Sequence, residues 1–131
     1  MGLAEKRLAE SIKTDKLVTF EKKISDIAGY HINVEIDWET FTNFDANPLN
    51  RLVTVMFESV ESVLKKICSD EMGKQALKDG LSTIHLINTN NFDSLKMELK
   101  DKNLYLTFQL AGDSYGTLTD SQIVTYIENS L

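Results

Sequence analysis

One cysteine, one proline, one tryptophan and two histidines in 131 residues remove several function classes at once. A lone Cys68 allows no internal disulfide, so nothing points to an oxidising compartment and the cytoplasm is the expected location. Neither CxxC nor HxxxH spacing occurs, and Cys68 with His31 and His85 makes no zinc pattern. There is no GxSxG elbow for Ser-His-Asp chemistry, no P-loop lysine and no GxGxxG fingerprint. A bilayer span needs about 18 consecutive apolar residues, and no such run exists. The segment Met1–Arg7 lacks the apolar region of a signal peptide, and Lys6 stands where a myristoylation motif requires Ser or Thr. With a 42% apolar and 26% charged composition and only six glycines, the chain reads as one ordered domain over residues 1–131. That length suffices to bury roughly two thirds of the unfolded surface.

A second deficiency is local. Gly29–Asn50 and Ala111–Leu131 contain no Lys or Arg, yet hold Glu35, Asp37, Glu39, Asp45, Asp113, Asp120 and Glu128. Elsewhere acids and bases nearly cancel, so these two stretches carry the net charge of −6. If the fold joins them, one side of the molecule becomes a negative surface suited to a cationic protein or a metal ion. The same surface repels nucleic acid and anionic membrane.

What is present reads as alternating helices and strands. Leu3, Leu8, Ile12, Phe20, Ile24 and Ile27 recur at helical spacing over residues 3–28, with Gly29 placed to stop the run. The pattern slips at Lys13–Asp15, where Thr14 could cap a second helix, leaving one helix or a pair. From His31 the period becomes two: Ile32, Val34, Ile36 and Trp38 share one face of a strand, and His31, Asn33, Glu35, Asp37 and Glu39 the other. Asn47-Pro48 then reads as a cap followed by a first-turn proline, opening a helix whose wide stripe includes Leu52, Met56, Phe57, Val60, Leu64 and Ile67. Asp70 and Glu71 open a short helix ending at Gly80. Three strands follow, the last two forming a hairpin around Asp101-Lys102-Asn103. Thr119-Asp120-Ser121-Gln122 matches a capping box for a final helix. The order predicts a two-layer α+β fold, a mostly antiparallel four-stranded sheet with helices on one face. The helical crossover between the first two strands also permits a parallel pair.

Glu35, Asp37 and Glu39 on one strand face would stand about 6 to 7 Å apart and repel one another. A hard cation, a basic partner, cross-strand pairing with Lys96 and Lys100, or plain solvation would each relieve that repulsion. Cys68 is read as a core residue beside the apolar stripe. The loop Ala111–Thr117 is read as an ordinary connection, because Asp113 and Asp120 oppose an anion. Phe41, Phe44 and Phe92 fall in loops or at element ends, whereas Tyr105 on the polar sheet face and Tyr115 beside Asp113 suit an interface.

These features favour a non-catalytic acidic binding domain, most concretely an immunity or inhibitor protein masking a basic partner such as a toxin. The contact set is Glu35, Asp37, Glu39, Tyr105, Asp113 and Tyr115; no cofactor and no catalytic residue is assigned. The alternatives are a small metal-dependent enzyme or ligand-binding domain using Glu35, Asp37 and His85, an acidic secretion chaperone, or a homodimeric scaffold.

Overall fold

The slip at Lys13–Asp15 is a π-turn. In the computed structural model of the protein, α1 (Leu3–Ser11) continues through Ile12–Lys16 into α2 (Leu17–Ala28), with the Leu17 N–H bonded to the Ile12 carbonyl five residues back. The wider turn rephases the helix, so that Ile12 and then Phe20, Ile24 and Ala28 all face inward. Thr14 caps nothing; its hydroxyl donates back to the Glu10 carbonyl at 3.1 Å. Gly29, at φ 80°, closes the helix in the left-handed conformation that a residue without Cβ adopts freely. The structure describes residues 2–43 and 45–131, and Phe44 lies outside them.

A second π-turn, Leu52–Met56, joins α4 (Asn47–Arg51) to α5 (Phe57–Ile67). This helix begins one residue earlier than the Asn47-Pro48 signal implies: Ala46 is the cap residue, and the Asp45 carboxylate accepts the Asn47 N–H at 2.9 Å. Its stripe is buried as expected, and Phe57 stacks on Phe20 with ring centroids 4.0 Å apart. Asp70 caps α6 (Glu71–Gly80) by accepting the Gly73 N–H at 2.7 Å. The capping box of α7 (Asp120–Ser130) forms in full between Thr119 and Gln122. Cys68 is buried at the end of α5, where desolvation pushes its thiol ionisation up and Lys74 pulls weakly the other way. Among the described residues no helix is long and apolar enough to cross a membrane.

The sheet corrects the expected topology. Its strands β1 (Asn33–Ile36), β2 (Thr83–Thr89), β3 (Lys96–Lys100) and β4 (Asn103–Gln109) lie in the order β1-β2-β4-β3. β1, β2 and β4 run parallel, and only β3 is antiparallel, so the sheet is mixed and mostly parallel. The physical reason lies in burial. β2 and β4 bury Ile84, Leu86, Leu104, Leu106 and Phe108 almost completely and take the centre, whereas β3, with Lys96 and Lys100 exposed, belongs at an edge. The connection after β2, through the 3₁₀ turn Phe92–Ser94, therefore carries the chain past one strand position to the far edge. The hairpin then returns β4 to the vacant place beside β2.

β1 is also shorter than its alternation implies. The strand ends at Ile36 and the chain turns into α3 (Trp38–Thr42), because the Asp37 carbonyl accepts both the Thr40 N–H, at 3.0 Å, and the Thr40 hydroxyl, at 2.7 Å. Glu39 consequently sits on a helix and leaves the row of strand carboxylates. Along β2 and β4 burial alternates strictly, so one sheet face is packed and the other remains half-exposed.

Tyr30 links the ends of two helices. Its hydroxyl lies 2.7 Å from the Leu81 carbonyl and 3.0 Å from the Leu77 carbonyl, sharing one proton between two acceptors. Burial, reinforced by Cys68, pushes its ionisation far above the usual phenol range. The folded state thus holds this proton more tightly than the unfolded chain, whose tyrosines titrate near pH ~10. That contribution is complete below about pH 10 and is lost as pH rises beyond it. Tyr30→Phe is expected to cost about 1 kcal/mol at neutral pH, and to flatten the alkaline decline in urea-unfolding free energy.

Candidate functional site

The half-exposed sheet face is organised by register. Glu35 on β1 pairs with His85 on β2, His85 with Tyr105 on β4, and Tyr105 with Glu98 on β3, so these four residues form one row across the sheet. The His85 and Tyr105 rings stack with centroids 4.4 Å apart and planes 13° from parallel. His85 Nε2 stands 2.9 Å from Asn103 Oδ1, which accepts its proton and fixes the ring. Asp37 continues β1, donating its N–H to the Leu86 carbonyl at 3.0 Å. Glu35, Asp37, His85 and Tyr105 together line a shallow depression of about 270 Å³.

Three of the residues chosen from sequence, Glu35, Asp37 and Tyr105, therefore meet. Glu39 does not join them. Lys96 and Lys100 stand on β3 at the opposite edge from Glu35, so the cross-strand pairing that would neutralise β1 is not made. Among the described residues, Glu35, Asp37, Glu39 and Asp113 make no ion pair; the four pairs present involve Asp26, Glu61, Glu21 and Glu71. Nor do three His, Cys, Asp or Glu side chains gather as a metal-binding group among those residues. Glu35, Asp37 and His85 share the depression without converging on one point.

Asp113 and Tyr115 belong to the loop after β4, which is fastened rather than loose. Arg51 donates from Nη1 to the carbonyls of Leu110, at 3.0 Å, and Gly112, at 2.7 Å, and from Nη2 to the Asp113 carbonyl at 3.3 Å. Its guanidinium also lies 5.3 Å from the centroid of the Tyr115 ring. The Asn47 side chain donates to the Gly112 carbonyl at 3.5 Å, so the two acid-only stretches do meet, with Arg51 between them. Gln109 and Gly116 close the loop with reciprocal 2.8 Å backbone bonds. Tyr115 remains 53% exposed and Phe92 63%, and the Phe92 ring lies against Gly116 where a Cβ would collide with it.

Sequence reasoning passed over Asn88, which holds this end of the sheet together. Its Oδ1 accepts the Leu110 N–H at 2.7 Å, its Nδ2 donates to the Thr40 carbonyl at 2.7 Å, and its backbone N–H donates to the Thr40 hydroxyl at 3.0 Å. The signal was there: Asn88 shares the inward parity of Ile84 and Leu86. In comparisons with known proteins, no family model, no curated protein and no solved structure matches this chain. Asn88→Leu leaves two buried backbone groups unpaired, each worth roughly 1 to 3 kcal/mol. A loss of about 2 to 4 kcal/mol in urea-unfolding free energy is expected, and an unchanged midpoint would show that the network contributes no net stability.

Proposed function

We propose that this protein is a non-catalytic binding domain whose acidic sheet face masks a basic protein partner, as an immunity or inhibitor protein masks a toxin. The observation that carries the reading is the uncompensated pair Glu35 and Asp37 beside the stacked, partly exposed His85 and Tyr105 rings. Unpaired carboxylates at a surface raise the encounter rate with a cationic partner, and a rigid aromatic pair gives it an anchor at small entropic cost. The reading takes the helices as one layer on the packed face, a two-layer arrangement, so that the other face is free to receive the partner. Tyr115 and Asp113, on a loop preorganised by Arg51, extend the contact toward the sheet's end. If the partner is a nuclease, the carboxylates occupy positions that substrate phosphates would take. A buried, unpaired Cys68 suits the cytoplasm as the place of action.

Affinity capture from the native host's lysate, run at low and high salt, tests the reading. One dominant basic partner is expected, and Glu35→Lys with Asp37→Lys should slow its association about tenfold or more at low salt. Equal rates for both forms would remove these carboxylates from the interface. The metal-dependent alternative draws on Glu35, Asp37 and His85 lining one depression. A melting temperature raised by Mg²⁺, Mn²⁺ or Ca²⁺ and lowered by EDTA would favour it instead.

A further inference from the structure

The two edges of the sheet are not equivalent. On β3 the outward N–H of Leu99 already donates to the Tyr126 hydroxyl of α7 at 3.0 Å, and Lys96 and Lys100 guard the same strand. On β1 the N–H groups of Asn33 and Asp37 point toward β2, donating to the Ser82 and Leu86 carbonyls at 3.0 Å each. Because backbone groups alternate along a strand, Val34 and Ile36 direct theirs away from the sheet. Among the described residues no strand lies beyond β1. An edge of this kind is a template for another strand.

The surroundings of β1 specify what that strand must be. Glu35 and Asp37 stand on the half-exposed side of the edge and make no ion pair among the described residues, and no Lys or Arg occurs from Gly29 to Asn50. Below its leading end, a groove of about 440 Å³ runs between α2 and His31, lined by Val18, Glu21, Lys22, Ser25 and Asp26. Val18 is 60% exposed and offers an apolar wall, and the Lys22 cation is taken by Asp26 at 2.9 Å. A second copy of this chain does not fit, since β1 against β1 would oppose Glu35 and Asp37 with their own duplicates. A strand carrying Lys or Arg on one side and apolar residues on the other fits both the charge and the groove.

We propose that β1 is a docking edge on which an extended, basic segment of the partner adds as a new outer strand, bonded to the outward backbone groups of Val34 and Ile36. The inference rests on the acidic-interface reading and gives it a backbone geometry. Two synthetic peptides of equal charge and length separate the two: a Lys-Val repeat, which can form a strand, and a Lys-Pro repeat, whose prolines lack an N–H and hold the backbone in the polyproline II conformation rather than a paired strand.

On the full chain, the Lys-Val peptide should bind and slow amide exchange at Val34 and Ile36 about tenfold or more, while the Lys-Pro peptide binds weakly or not at all. Ile36→Pro removes one outward donor and leaves the ladder to β2 intact, so it should weaken Lys-Val binding about tenfold without unfolding the protein. N-methylation of the Lys-Val peptide at every residue removes the amide donors of both its edges, makes the same test from the ligand's side and should abolish binding. Equal binding of the two peptides, or protection at Met97 and Leu99 in place of Val34 and Ile36, would overturn edge pairing while leaving the acidic surface standing. Binding of neither peptide would count against both.

Discussion

The buried side-chain amide of Asn88 joins three chain segments that apolar packing alone would leave unregistered. Hydrophobic burial is strong but has no direction, whereas each of the amide's bonds requires one partner at one angle. Through Leu110 it sets where β4 gives way to its loop, and through Thr40 it sets where α3 stands against β2. The Thr40 hydroxyl passes the constraint to the Asp37 carbonyl, so the end of β1 and the carboxylate beside it are held by the same joint. Arg51 does for the far side of the loop what Asn88 does for the near side.

Once these ends are held, the character of the surface follows from strand order. Long β2 and β4, whose inward residues are almost fully buried, must occupy the centre, which drives the short acidic β1 and the lysine-bearing β3 to opposite edges. Opposite charges that would neutralise one another across adjacent strands are thereby separated by two strands. Glu35 and Asp37 remain uncompensated because of topology, and the proposed function draws on that separation. The His85 and Tyr105 stack lies between the edges, rigid and partly exposed.

Much of this was legible in the residues. Helical spacing located the long helices and the capping box of α7 formed as written, whereas the slip at Lys13–Asp15 showed only that the pattern breaks, not that a π-turn rather than a cap at Thr14 breaks it. The polar side of β2 and β4 was readable from parity, which is why Tyr105 fell on the open face as expected. β1 was overextended because Ile36 and Trp38 continue the alternation, while the turn that ends the strand depends on Thr40 and Asp37. Trp38 instead opens α3 and packs partly buried against the core, with the Lys13 ammonium 5.0 Å from its ring centroid, a contact across distant sequence. Strand direction was misread because it depends on which strand the connection after β2 bypasses, a matter of long-range burial. The loop of Asp113 and Tyr115 is held by Arg51, about sixty residues earlier in the chain, and carries no local trace of that anchor.

The central claim is that the half-exposed sheet face around Glu35, Asp37, His85 and Tyr105 is the surface a partner covers. A hydrogen-exchange footprint of the captured complex over the whole chain tests it most directly. The account predicts added protection centred on residues 33–37 and on the row through His85 and Tyr105. Protection confined to the outer surfaces of α6 and α7, with those residues unchanged, would contradict it.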